Sequence, residues 1–245
     1  MHSQLNKIVN SHKSALISSI RVLNFEARAY CVDLMEDFLD NPQPVALDRP
    51  RGAHRLEAFS PKLNRRLTFC RRCAFDQWIL IETDPAVRVF CERPGYVQLR
   101  GQRQLADFWV SFSDRQELIL LPGPVTADDP TRGGRLRDVN SIDVRSISPA
   151  DLAASRTCID NWKRMLPCIV VARGLVPVSP LNAVEQFICS PQSLLSIERK
   201  FSAGDPILAR AAVFGLLYAG RVSAPELRTD ALSSMTRFAS QESQS

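Results

Sequence analysis

Residues 60–112 read SPKLNRRLTFCRRCAFDQWILIETDPAVRVFCERPGYVQLRGQRQLADFWVSF, and the order of patterns in this stretch decides the fold. Residues 71–82 space their apolar side chains at helical intervals and the run stops before Asp84-Pro85. Residues 87–92 (VRVFCE) and 95–100 (GYVQLR) predict strands joined by a turn at Pro94-Gly95. Residues 105–112 (LADFWVSF) and 117–121 (ELILL) flank Ser113-Asp114-Arg115-Gln116, which fits a hairpin. A helix followed by short strands in this order implies an α/β domain.

Upstream, residues 5–39 carry Leu16, Ile17, Ile20, Leu23, Cys31, Leu34 and Phe38 without a proline, the pattern of a helix. Prolines 42, 44 and 50 then mark a loop. Downstream, residues 122–138 are rich in proline, glycine and charge and predict a linker. Residues 142–147 (IDVRSI) read as extended, and a helix starts at Ser148 with Pro149 at its first position and Asp151 in its first turn. That helix carries Leu152, Ile159, Trp162, Met165 and Leu166. Residues 193–201 form another. Asp205 caps the next, with Pro206 at its first position, an apolar face through Ile207, Ala211, Phe214, Leu217 and Tyr218, and Gly220 just past its end. Two short helices followed by GRVSAPELRTDALSS resemble a winged-helix module whose terminal ribbon is the wing. The closing SQESQS predicts disorder.

The chain has 245 residues, 45% hydrophobic and 23% charged, an ordinary composition for a water-soluble protein with real cores. No apolar run approaches the roughly 18 residues that cross a bilayer. MHSQLNKIVNSHK has neither the apolar core nor the cleavage site of a signal peptide, so a cytoplasmic location is expected, with no membrane partner. The formal net charge is +5. Arg49, Arg51, Arg55, Lys62, Arg65, Arg66, Arg71 and Arg72 crowd one stretch, opposed mainly by Glu57. Such a cluster predicts a phosphate-contacting surface, because each charge releases condensed counterions on binding DNA. The seven cysteines follow no framework spacing; Cys70 and Cys73 form a lone CxxC, and buried, reduced thiols are expected rather than a zinc site.

The stretch from Ser60 to Phe112 resembles the N-terminal nuclease domain of TnsA-type proteins, which cut one strand at transposon ends in heteromeric cut-and-paste transposition. The matching pieces are Glu82-Thr83-Asp84-Pro85, Val87 to Glu92, and Ala106-Asp107-Phe108. Asn161-Trp162-Lys163-Arg164 resembles the family's NWKR-type helix, and residues 212–221 (AVFGLLYAGR) its C-terminal module, so the likeness spans about residues 58–235. It implies a restriction-endonuclease-like core of the PD-(D/E)xK kind with a winged-helix-like C-terminal domain. The expected division is an N-terminal helical segment over 1–48, the nuclease fold over 49–147 and the C-terminal domain over 148–245. The implied partners are duplex DNA at transposon ends, and a transposase or its ATPase regulator docked on the C-terminal domain.

The chemistry of such nucleases needs carboxylates that hold Mg²⁺, which activates a water, and a lysine that stabilises the transition state. Laid over the family pattern, the helix glutamate falls on Ala74 and the E-x-K strand on Leu121-Pro122-Gly123, so Asp107 alone remains. Asp76 lies two residues from Ala74 and would point about 200° away, as a solvent-facing acid. Glu117 sits four residues before Leu121, roughly 13 Å along a strand. On this reading Asp107 is an inherited acid without a task, and Arg65, Arg66, Arg71 and Arg72 contact DNA. A non-catalytic DNA-binding and partner-docking subunit is expected, without cofactor. Two alternatives stay open: an active Mg²⁺-dependent endonuclease using Asp76, Asp107 and Glu117, and a winged-helix DNA-binding regulator. Helix 206–219 has Arg210 as its only basic residue, which favours protein docking over base reading.

Overall fold

Alternating apolar residues in RRLTF put Leu67 and Phe69 on one side of an extended segment, and both are buried. In the computed structural model this segment is β2 (Arg65–Phe69), paired antiparallel with β1 (Leu56–Ser60). Residues 42–46, 50–99, 102–122, 136–137, 142–202 and 206–241 are described. The helix expected over 5–39, Arg49, most of the 122–138 linker, Gly123, the cap at Asp205 and the last four residues lie outside them. Apart from Pro42, the described residues belong to one compact unit, Gln43–Ser245.

Helix α1 (Arg72–Thr83) follows β2 directly. It ends where proline dictates: Asp84, one residue before Pro85, adopts extended backbone at φ −78° and ψ 114°. Strands β3 (Val89–Glu92), β6 (Phe108–Ser111), β7 (Gln116–Leu120) and β9 (Asp143–Ser146) then make a mixed sheet in the order β3-β6-β7-β9. The β6–β7 pair is the expected hairpin, and β9 joins it parallel to β7. Period-two alternation explains why both faces are covered. Phe90, Phe108, Val110 and Ile119 face the main core, while Cys91, Trp109, Leu118 and Leu120 face a second cluster.

The strands on either side of Pro94-Gly95 form as expected, yet they join different sheets. β3 pairs with β6, whereas β4 (Tyr96–Leu99) pairs with β5 (Gln102–Leu105) and, in parallel, with β8 (Leu136–Arg137). The chain changes sheets by passing through φ +49° at Arg93 and φ +143° at Gly95.

The C-terminal part opens with α2 (Pro149–Ala154), started by a complete capping box between Ser148 and Asp151. The single helix expected from Ser148 is two: the chain breaks at Ser155 and resumes as α3 (Arg156–Val171). Then come α4 (Val178–Phe187), β10 (Gln192–Ser193), α5 (Leu194–Phe201) and α6 (Pro206–Tyr218). β11 (Val222–Ser223) and β12 (Arg237–Ser240) form the terminal ribbon, with β10 on its other side. The architecture is mixed α/β, and no described helix is long and apolar enough to cross a membrane.

One apolar core runs through the whole unit. Leu67, Trp78, Phe90 and Phe108 share a cluster with Ile159, Met165, Phe214 and Phe238. Of the apolar face expected on α6, Ala211 and Phe214 are buried against this chain and Leu217 and Tyr218 are partly buried, while Ile207 at its start is 52% exposed.

Candidate functional site

Because α1 starts at the end of β2, its flank delivers Arg71 to the point where β6 begins and β7 stops. Asp107, the residue before β6, is held there by its backbone: its N–H donates to the Ile119 carbonyl at 2.9 Å, and its carbonyl accepts from Arg93 N at 2.8 Å. One carboxylate oxygen accepts the Leu121 N–H at 2.7 Å, and the other accepts Arg71 Nη2. Arg71 Nη1 donates to the Pro122 carbonyl at 3.3 Å. A guanidinium thus bridges the carboxylate and carbonyl that converge at this strand end. Burial raises the Asp107 carboxyl above its ordinary pKa, with Arg71 and the Leu121 N–H pulling the other way.

Asp107 is therefore not an acid without a task; it anchors Arg71 and the end of β7. Asp76 also departs from expectation. It is 5% exposed rather than solvent-facing, and its carboxylate meets Lys163 at 2.7 Å, Arg72 at 3.2 Å and Arg156 at 3.2 Å. Two of those cations come from α3, so the side chain that points away from the strand end points instead into the contact between α1 and α3. Glu117 lies opposite Val110, three positions along the hairpin from Asp107 and on the order of 10 Å away. It is paired with Arg115 at 2.9 Å. Asp76, Asp107 and Glu117 are thus three separate ion-pair sites. No three His, Cys, Asp or Glu side chains converge among the described residues.

Of the four arginines expected to contact DNA, three are paired with acids. Arg65 forms a two-pronged pair with buried Glu92 at 2.8 and 2.6 Å, and that hydrogen bond raises its pKa. Arg71 is committed to Asp107 and Arg72 to Asp76. Arg66 is exposed on β2. Alternation explains the division: Arg65 is on the face with Leu67, Arg66 on the opposite one. Lys62, another member of the basic stretch, donates Nζ to the Asp84 and Val87 carbonyls at 2.9 and 3.1 Å. Burial lowers its pKa.

A second polar centre joins the resembling motifs. Glu82 is fully buried and accepts four hydrogen bonds: Ser60 Oγ at 2.5 Å, the Lys62 N–H at 3.0 Å, Trp78 Nε1 at 3.2 Å and Tyr218 Oη at 2.7 Å. Four donors replace the water that a buried carboxylate loses. Burial and the neighbouring Glu82 carboxylate push the Tyr218 phenol far above its ordinary pKa. Two residues on, Gly220 adopts φ +69°, and a Cβ there would lie 2.8 Å from Pro85 Cβ. The DP turn therefore packs against the backbone just past α6. In α3, Asn161 is buried and pins the loop between β11 and β12, donating to the Leu227 and Asp230 carbonyls at 2.9 and 2.8 Å and accepting from Leu232 N at 2.8 Å. Trp162 meets the Tyr218 ring edge-on at 6.5 Å. Lys163 reaches Asp76.

Compared with protein-family models and with curated proteins, the chain matches none.

Sequence reasoning missed the roles of Lys62, Asn161, Lys163 and Tyr218, although a signal existed. Glu82-Thr83-Asp84-Pro85, Asn161 to Arg164 and residues 212–221 are each singled out in the sequence, and all three meet at one interface.

Proposed function

We propose that this chain is a non-cutting, TnsA-like subunit of a heteromeric DNA transposase. In this reading residues 49–147 carry a restriction-endonuclease-like core, and the helix–strand–helix–helix–ribbon order from α4 to β12 is a winged-helix-like module. The carrying observation is Arg71, whose guanidinium lies against the Asp107 carboxylate and the Pro122 carbonyl. The resemblance puts the metal ligands at this strand end. A fixed guanidinium balances the carboxylate charge as a metal would, but it offers no coordination position and generates no hydroxide. The residues do not fit Mg²⁺: one carboxylate is present, already paired, with Ala74 and Leu121 where others would stand. Relocated catalysis at Asp76 or Glu117 is opposed by their own ion pairs.

What remains for such a subunit is to hold transposon-end DNA and to recruit the transposase or its ATPase regulator. A nicking assay on supercoiled plasmid with Mg²⁺ or Mn²⁺, with and without partner proteins, tests the first half of the reading, and no nicking is expected. Metal-dependent nicking that disappears in Asp107→Ala would overturn it. Fluorescence anisotropy with labelled duplex tests the second half: binding should weaken steeply with salt, and absence of binding at low salt would remove the DNA-holding role.

A further inference from the structure

Away from the strand end, α3, α5, α6 and the loop before β12 enclose an open cavity of about 280 Å³. Arg164 and Arg210 stand at it from two helices, Ser233 and Ser234 from the loop, and buried Leu194 and Phe214 form its floor. Donors exceed acceptors here. Each guanidinium has five N–H groups; Arg164 gives one to the Leu232 carbonyl at 3.4 Å, and Arg210 gives Nε to Glu198 at 2.5 Å. Two cations against that one carboxylate leave a surplus of positive charge. The apolar floor keeps the local dielectric low and strengthens attraction to an anion. The cavity suits one anionic group projecting from a larger ligand.

We propose that this cavity seats a backbone phosphate of duplex DNA, with Arg164 and Arg210 as charged donors and the exposed Ser234 hydroxyl at the rim. The assignment rests on the DNA-binding reading above. It adds a contact away from the arginines near residue 65, and because Arg210 is paired with Glu198 the surplus charge here is that of Arg164.

Cys168 lines the same cavity and reports on its occupancy, while exposed Cys189 lies outside the lining and serves as the reagent control. The full chain is alkylated with iodoacetamide alone, with a short DNA duplex at low salt, or with inorganic phosphate, and labelling is read peptide by peptide. The duplex should slow labelling of Cys168 several-fold and leave Cys189 unchanged. Ser234→Glu and Arg164→Gln should each abolish that protection, weaken duplex binding roughly tenfold and lower the salt slope by about 1. Circular dichroism of both variants confirms that they fold. Protection by inorganic phosphate but not by duplex would overturn the assignment in favour of a small-anion site. Duplex binding that leaves Cys168 labelling and both variants unaffected would overturn it while the DNA-binding reading stands. Absence of duplex binding in the unaltered chain would remove both.

Discussion

Replacing Gly220 with alanine tests how tightly the DP turn is held against the end of α6. Two costs add at this position. The backbone sits at φ +69°, where an L side chain costs about 1–2 kcal/mol. The new methyl would also stand 2.8 Å from Pro85 Cβ and 3.1 Å from its Cγ. A proline ring cannot swing aside, so the backbone must shift, an overpacking cost of about 1–3 kcal/mol. The total is therefore about 2–5 kcal/mol. Gly174 supplies the control within the same molecule. Its φ is +75°, and a Cβ there meets nothing within 4 Å, so Gly174→Ala carries the backbone cost alone. Both substitutions reduce unfolded-state freedom alike, and that effect cancels in the comparison. Urea unfolding followed by tryptophan fluorescence should rank Gly220→Ala as less stable than Gly174→Ala by about 1–3 kcal/mol. Equal stabilities would refute the argument, because they would mean that Pro85 does not press on Gly220 and that the contact between the two motifs is loose.

Asn161→Ala leaves the Leu232 N–H and the Leu227 and Asp230 carbonyls without their side-chain partner, and should cost about 2–4 kcal/mol. Hydrogen exchange should accelerate at Leu232 first, and unchanged exchange there would refute the pinning role. Tyr218 gives a pH signature. Its folded pKa is raised above the unfolded value of about 10, so the native state keeps a proton that the unfolded state loses. Its contribution to stability is fully present below about pH 10 and is lost as pH rises toward the folded pKa. In a Tyr30→Phe, Tyr96→Phe background, phenolate absorbance should appear only together with alkaline unfolding; free titration near pH 10 in the folded protein would show that the phenol does not reach Glu82.

Local chemistry alone determined where several elements start, stop and face, though not the break at Ser155. Asp84-Pro85 ends α1 because proline excludes the preceding residue from helical backbone. Ser148, Pro149 and Asp151 begin α2 because their side chains supply what its first N–H groups lack. The alternation in FWVS and ELIL sets the two faces of the β6–β7 hairpin, since a strand has a period of two wherever it is placed. Only the tertiary structure decided which charges neutralise one another. Arg65 finds Glu92 across 27 residues, Arg71 finds Asp107 across 36, and Arg156 finds Asp76 across 80. No periodicity records such pairs, because ion pairing follows distance in space, and a basic run in sequence looks identical whether its acids are near or absent. The parting of β3 and β4 into different sheets and the covering of α6 by its own chain belong to the same class. Hydrophobicity says that a face must be buried; the packing of distant elements says against what.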